Sequence, residues 1–229
     1  MKKLGVIAIM LSSLFSSRFS NIQAQDWPNL KRYQEENAKL TSPGKKEQRV
    51  VFMGNSITEG WERIHPAYFA DNPYICRGIS GQTTPQMLIR FRQDVVDLEP
   101  AVVVILAGIN DIAGNTGPST LEMIMDNLKS MTEIAKANGI EVVLCSVLPA
   151  NHFPWRPEKK PADDVIELNK MIKLYAKSQK VSYVDYYPAM VNDSKGLKAG
   201  LGDDGVHPNL EGYKIMEAIL EKTLAKVLK

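Results

Sequence analysis

The stretch Arg49-Val50-Val51-Phe52-Met53-Gly54-Asn55-Ser56-Ile57-Thr58 decides how the chain is read. Four consecutive apolar residues, too few for a helix and not alternating with polar ones, describe a strand buried on both faces. The strand gives way abruptly to Gly-Asn-Ser-Ile-Thr. A serine two residues beyond a buried strand, beside a glycine, can present its hydroxyl at the edge of a sheet. Working outward, similar apolar runs occur at Tyr74–Ile79, Ala101–Ala107, Glu141–Val147 and Ser182–Tyr186.

Helical patterns separate these runs. Thr84-Pro85 supplies a cap and first helical residue for a helix through Val96. Ser119 and Glu122 have capping-box spacing, and Leu121, Ile124, Leu128, Met131 and Ala135 follow at helical intervals before Gly139. A third helix is expected from Asp163 to Ser178, and a last one from near Pro208 through Leu224. Strand and helix alternate, which predicts an α/β fold: a three-layer α/β/α sandwich with a central parallel sheet. Ligands of such folds bind outside the carboxyl ends of the strands, so the polar residues just after each strand become the candidates for chemistry.

Those residues are distinctive. Beyond the second strand, Gly81 can turn a backbone N–H toward a ligand with no side chain in the way. Beyond the third, Asn110 offers a side-chain amide. Asp204 and His207 precede the last helix at a spacing that lets a carboxylate reach one imidazole nitrogen. A serine needs a base to become a nucleophile at neutral pH, and the base needs an orienting acid. Ser56, His207 and Asp204 supply these three parts. The Ser56 N–H, the Gly81 N–H and the Asn110 amide are candidate donors to an oxyanion.

Four blocks, GNSIT at 54–58, GISGQTT at 78–84, AGIND at 107–111 and DGVHP at 204–208, resemble those of the SGNH hydrolases, also called the GDSL esterase/lipase family. The resemblance covers about Val50 to Leu220. It implies a flavodoxin-like fold and an ester hydrolase without metal or organic cofactor. Carried over residue by residue, it gives Ser56 as nucleophile, Gly81 and Asn110 in the oxyanion hole, His207 as base and Asp204 as its support. Asn55 stands where the family usually has aspartate. The segment Pro149–Pro157 follows the fourth strand, and its Trp155 and His152 are candidate substrate contacts. With no obvious lid, the chain suits short acyl groups, such as acetyl on a carbohydrate. A lysophospholipase or thioesterase is the alternative within the family. A carbohydrate-binding protein that keeps the fold without catalysis is the alternative outside it.

The remainder sets the context. Of 229 residues, 44% are hydrophobic and 24% charged, as in an ordinary globular domain. The start differs: Lys2 and Lys3, an apolar run from Leu4 to Phe15, then a polar stretch ending at Ala24. That order is the signature of a secretory signal peptide cleaved near Ala24, giving a secreted or periplasmic protein. The run falls short of the roughly 20 residues a membrane span needs, so no stable membrane anchor is expected. Loss of Lys2, Lys3 and Arg18, with no acid among the first 24 residues, takes the net charge from +2 to −1. No basic run marks a nucleic-acid partner. Residues 25–48 read as an N-terminal extension lying on the surface, with a helix over Leu30–Leu40, and residues 49–229 as the hydrolase domain. Cys76 and Cys145 are expected as buried free thiols, a disulfide being the alternative. Two cysteines exclude a cysteine zinc cluster.

Overall fold

The computed structural model describes residues 25–229, so the signal-peptide expectation over 1–24 lies outside the described residues. Five parallel strands form the sheet: β1 (Val50–Gly54), β2 (Tyr74–Gly78), β3 (Val102–Leu106), β4 (Glu141–Cys145) and β5 (Ser182–Val184). Their spatial order is β2-β1-β3-β4-β5, the flavodoxin-like winding. Every residue of β1 and β3 is buried, which is why these strands read as unbroken apolar runs. Their registers align Gly54 with Gly78 on one side and with Leu106 on the other.

The helices are α1 (Gln34–Lys39), α2 (Ser56–Ile64), α3 (Pro66–Ala70), α4 (Thr84–Asp94), α5 (Ile109–Ala113), α6 (Leu121–Ala137), α7 (Ala162–Gln179), α8 (Tyr187–Met190) and α9 (Leu210–Val227). Parallel neighbours need crossovers, and right-handed crossovers to either side of β1 put their helices on opposite faces. On one face α4 packs against α6 and α6 against α7. On the other, Tyr213 of α9 stacks on Trp61 of α2 with ring centroids 5.4 Å apart. Trp61 in turn meets Phe52 of β1 edge-on.

Several boundaries differ from the sequence reading. The cap of α4 is Thr83, one residue earlier than expected, in a capping box with Gln86. Thr84 is otherwise engaged: its N–H and hydroxyl both donate to Asp111, the hydroxyl at 2.6 Å. Thr120, not Ser119, caps α6 by accepting from Met123 N, and Asn209 caps α9. A helix that the sequence reading does not include, α2, starts at Ser56 itself. Cys76 and Cys145 are free and buried.

The extension is more than surface covering, and its helix is shorter than expected. Tyr33 is buried, and its hydroxyl donates to the Gly78 carbonyl at the end of β2. The Pro28 and Trp27 carbonyls accept from the amides of Gln82 and Gln86, at 2.7 and 2.6 Å. Asn37 accepts from the Arg77 guanidinium and donates to Asp94. Residues 27–37 are therefore strapped along the loop that leaves β2 and the helix after it.

Candidate active site

The chain runs from β1 out to β2 and then back across to β3. This reversal opens a crevice at the carboxyl ends of β1 and β3. Ser56 stands there as the first residue of α2, with Asn55 as its cap. The Asn55 side-chain oxygen accepts from Ile57 N at 3.0 Å. Asparagine caps helices as well as aspartate does, so the capping role survives the loss of charge. Ser56 N–H, at the first helical position, has no acceptor within the helix, and the helix dipole favours negative charge there.

Two glycines allow this approach. A Cβ on Gly78 would run into the backbone nitrogen of Glu59 and the carbonyl of Asn55, and one on Gly54 would strike Thr58. Gly78 is therefore required by the contact between β2 and α2 and is not merely a turn residue. Gly81 differs: its φ of +77° is the left-handed conformation, and a Cβ there would meet nothing.

His207 and Asp204 reach the same point from the loop before α9. Gly205, with φ of +78°, folds this loop tightly. Asp204 Oδ1 accepts from Val206 N at 2.9 Å and His207 N at 2.8 Å, while Oδ2 lies 2.6 Å from His207 Nδ1. An ionised carboxylate can only accept, so Nδ1 carries the proton and Nε2 of the neutral ring is an acceptor. Ser56 Oγ lies 2.8 Å from that Nε2 and donates to it. Burial pushes the Asp204 pKa up, but the bonds from the His207 N–H, the imidazole and the Val206 N–H outweigh it and hold the carboxyl below its usual range.

Asn110 is buried on α5, and its amide donates to the Gln82 carbonyl at 2.9 Å. The loop with Gly81 is further fixed by Asn115, which donates to the Gly81 carbonyl at 3.1 Å. Asp111 is buried and accepts from the N–H and hydroxyl of Thr84, as a structural partner.

Two hollows meet at Ser56, Ser80 and His207. One, of about 250 Å³, is lined also by Gly81, Asn110, Asn115 and Trp155. The other, of about 330 Å³, is lined also by Glu59, Gly60, Arg63, Asp204 and Tyr213. The Trp155 ring lies 6.0 Å from that of His207, and its indole N–H donates to Asn115 at 3.3 Å. His152, the other candidate contact, lines neither hollow. It is bonded to Asn151 and lies against Gly205, whose missing Cβ makes room for the ring. Sequence reading also passed over Asn115, Ser80, Glu59 and Arg63. Glu59 and Arg63 carried a usable signal, since they follow Ser56 at helical spacing. Among the described residues, no three His, Cys, Asp or Glu gather as a metal site, and no helix is long and apolar enough to cross a membrane.

A five-stranded parallel sheet wound in this order, with these blocks along its carboxyl edge, is the fold of the SGNH hydrolases. The chain belongs to the GDSL-like lipase/acylhydrolase family, whose model matches residues 52–215, and it is a carboxylic ester hydrolase. It is 54% identical to a GDSL-like lipase of Bacteroides thetaiotaomicron, whose crystal structure superposes with a TM-score of 0.85 over 87% of this chain and 98% of that one. It is 29% identical over 176 residues to the esterase TesA of Pseudomonas aeruginosa, covering 71% of this chain and 81% of that protein. An acetylxylan esterase of Xylanibacter ruminicola is 27% identical over 217 residues, covering 79% of this chain but only 44% of that longer protein.

Proposed function

We propose that the protein is a secreted serine esterase that works through an acyl-enzyme and removes acetyl or other short acyl groups from carbohydrates. The observation that carries the mechanism is the unbroken line from Ser56 Oγ to His207 Nε2 and from His207 Nδ1 to Asp204, at 2.8 and 2.6 Å. Ser56 Oγ attacks the ester carbonyl carbon while His207 Nε2 takes its proton. Asp204 keeps the imidazole in the required tautomer and stabilises the imidazolium. The tetrahedral oxyanion is received by the N–H groups of Ser56 and Gly81 and the Asn110 amide. The bond from carbon to the alcohol oxygen then breaks, and His207 gives that oxygen its proton. Water, deprotonated by His207, releases the acid and restores Ser56.

No step calls for a metal or cofactor. The smaller hollow, with Trp155 on one side, suits a short acyl group, and the likeness to an acetylxylan esterase supports a carbohydrate ester. A lysophospholipase or thioesterase of the same family is the competing reading. Residues 1–24 act in this account as an export signal removed near Ala24, leaving the extension of 25–48 and the hydrolase domain of 49–229. The test is hydrolysis of p-nitrophenyl esters from acetyl to long acyl. Activity should peak at the short end, and Ser56→Ala should lower kcat by roughly ten-thousand-fold or more. An optimum at long acyl chains would overturn the short-acyl assignment. Equal inertness of wild type and variant across the series would point to the non-catalytic binding reading.

A further inference from the structure

The larger hollow has a chemistry that the reaction above leaves unused. It runs along one stripe of α2: Ser56, then Glu59 and Gly60, then Arg63, spaced as neighbours on one helix face. Seven residues of helix rise by about 10 Å, so Arg63 stands two turns beyond the nucleophile. Gly60 lets Tyr213 of α9 close one side of the hollow, because a Cβ there would press on the Tyr213 hydroxyl, which is bonded to the Ile57 carbonyl. Glu59 is held in place: Oε2 accepts from Ser80 N at 3.0 Å, and Oε1 lies 3.6 Å from Arg32 of the N-terminal strap. Arg63 has no ion-pair partner among the described residues, and its side chain is exposed.

The geometry points to this hollow as the subsite for the alcohol part of the ester, built for a neutral polyhydroxylated alcohol such as a sugar. The inference rests on the esterase reading above and concerns which hollow holds which half of the substrate. In the tetrahedral adduct the oxyanion faces Gly81 and Asn110, which line only the smaller hollow. The alcohol oxygen is the substituent that must receive the proton from His207. The hollow that contains His207 without Gly81 or Asn110 is the larger, polar one. The acyl group is left with the side that carries Trp155.

The lining then selects the alcohol. An alkyl chain laid here would strip water from Arg63 and Glu59 and offer them no hydrogen bond. A phosphate-bearing alcohol would meet one cation but two carboxylates, Glu59 and Asp204. Sugar hydroxyls donate and accept, and so can satisfy Glu59 and Arg63 together.

The experiment compares kcat/KM on an acetylated disaccharide with kcat/KM on p-nitrophenyl acetate, in wild type, Arg63→Met and Arg63→Lys. A hydrogen bond to a charged group predicts that the ratio of the two falls about tenfold in Arg63→Met, mostly through KM for the sugar ester. Arg63→Lys should restore part of it. Because Arg63 is exposed, loss of the fold is not expected, and circular dichroism checks this. A ratio unchanged within twofold, with hydrolysis still dependent on Ser56, would overturn the subsite alone. So would a higher kcat/KM on lysophospholipid than on the sugar ester. Absence of any Ser56-dependent hydrolysis would overturn the esterase reading and the subsite with it.

Discussion

Replacing Asn110 by alanine separates transition-state stabilisation from scaffold. In the resting structure one Asn110 N–H donates to the Gln82 carbonyl at 2.9 Å, which leaves the other for the oxyanion. Loss of an oxyanion donor typically costs 100- to 1,000-fold in kcat, or about 2.7–4 kcal/mol. The structural cost is smaller. Without Asn110, the loop around Gln82 is still held through its side chain, which accepts from Arg90 Nε at 2.6 Å and donates to Pro28 at 2.7 Å. One lost hydrogen bond is worth about 1 kcal/mol, which lowers Tm by roughly 2–4 °C for a domain of this size. Steady-state kinetics on p-nitrophenyl acetate, beside a thermal melt, should therefore show kcat reduced at least a hundredfold, KM within a few-fold of wild type, and a fold intact at the assay temperature. A fall in kcat of less than tenfold, or one that merely tracks the unfolded fraction, would refute Asn110 as an oxyanion donor.

Other residues give independent checks. Burial raises the Asp111 pKa to about 6 from 3.8, although hydrogen bonds from Thr84 oppose the shift. Between these values the folded protein binds the proton and the unfolded chain does not, so this residue's contribution to stability falls as pH rises from 4 to 6, by about 3 kcal/mol at most. Asp111→Asn should flatten that slope in urea midpoints taken at pH 4.5 and 7, and an identical slope in both proteins would contradict the assignment. Gly78→Ala should destabilise by about 1–3 kcal/mol and lower kcat, because the new methyl meets backbone at Glu59 and Asn55 and displaces the helix that begins at Ser56; a variant with wild-type stability and kcat would show that the contact between β2 and α2 yields easily. Tyr33→Phe leaves the Gly78 carbonyl without its hydroxyl donor and should cost about 1–2 kcal/mol in denaturant unfolding, whereas an unchanged midpoint would mean that the strap is held by its other contacts.

The sheet was legible where burial is two-sided. Val50–Met53 and Val102–Leu106 lie between other strands with helices above and below, so every position had to be apolar and the run announced itself. The spatial order of the strands was not written in any one of them and came only through the resemblance. Ser56, Gly81 and Asn110 were legible because each lies just beyond a strand, and Asp204 and His207 because of their three-residue spacing before the last helix. Ser56 and His207 are 151 positions apart, but both belong to the carboxyl edge. What escaped reading depends on contacts distant in sequence. The helix α2 was hidden because Ser56–Thr58 read as a loop motif, although Ile57, Trp61 and Ile64 have helical spacing. The role of the extension rests on a tyrosine hydroxyl meeting a carbonyl 45 residues away, for which 25–48 held no local sign. His152 is a candidate substrate contact because its loop follows β4, yet Gly205 gives its ring a place against the loop that carries Asp204 and His207.

The central claim is that Ser56, activated by His207, becomes acylated. Ser80 is the natural rival, since it lines both hollows and is exposed. Treating the protein with a fluorophosphonate, then digesting it and locating the adduct by mass spectrometry, distinguishes the two. One adduct per chain on the peptide containing Ser56, absent in Ser56→Ala and formed far more slowly in His207→Ala, is the predicted result. An adduct on Ser80, or esterase activity that survives Ser56→Ala undiminished, would contradict the account.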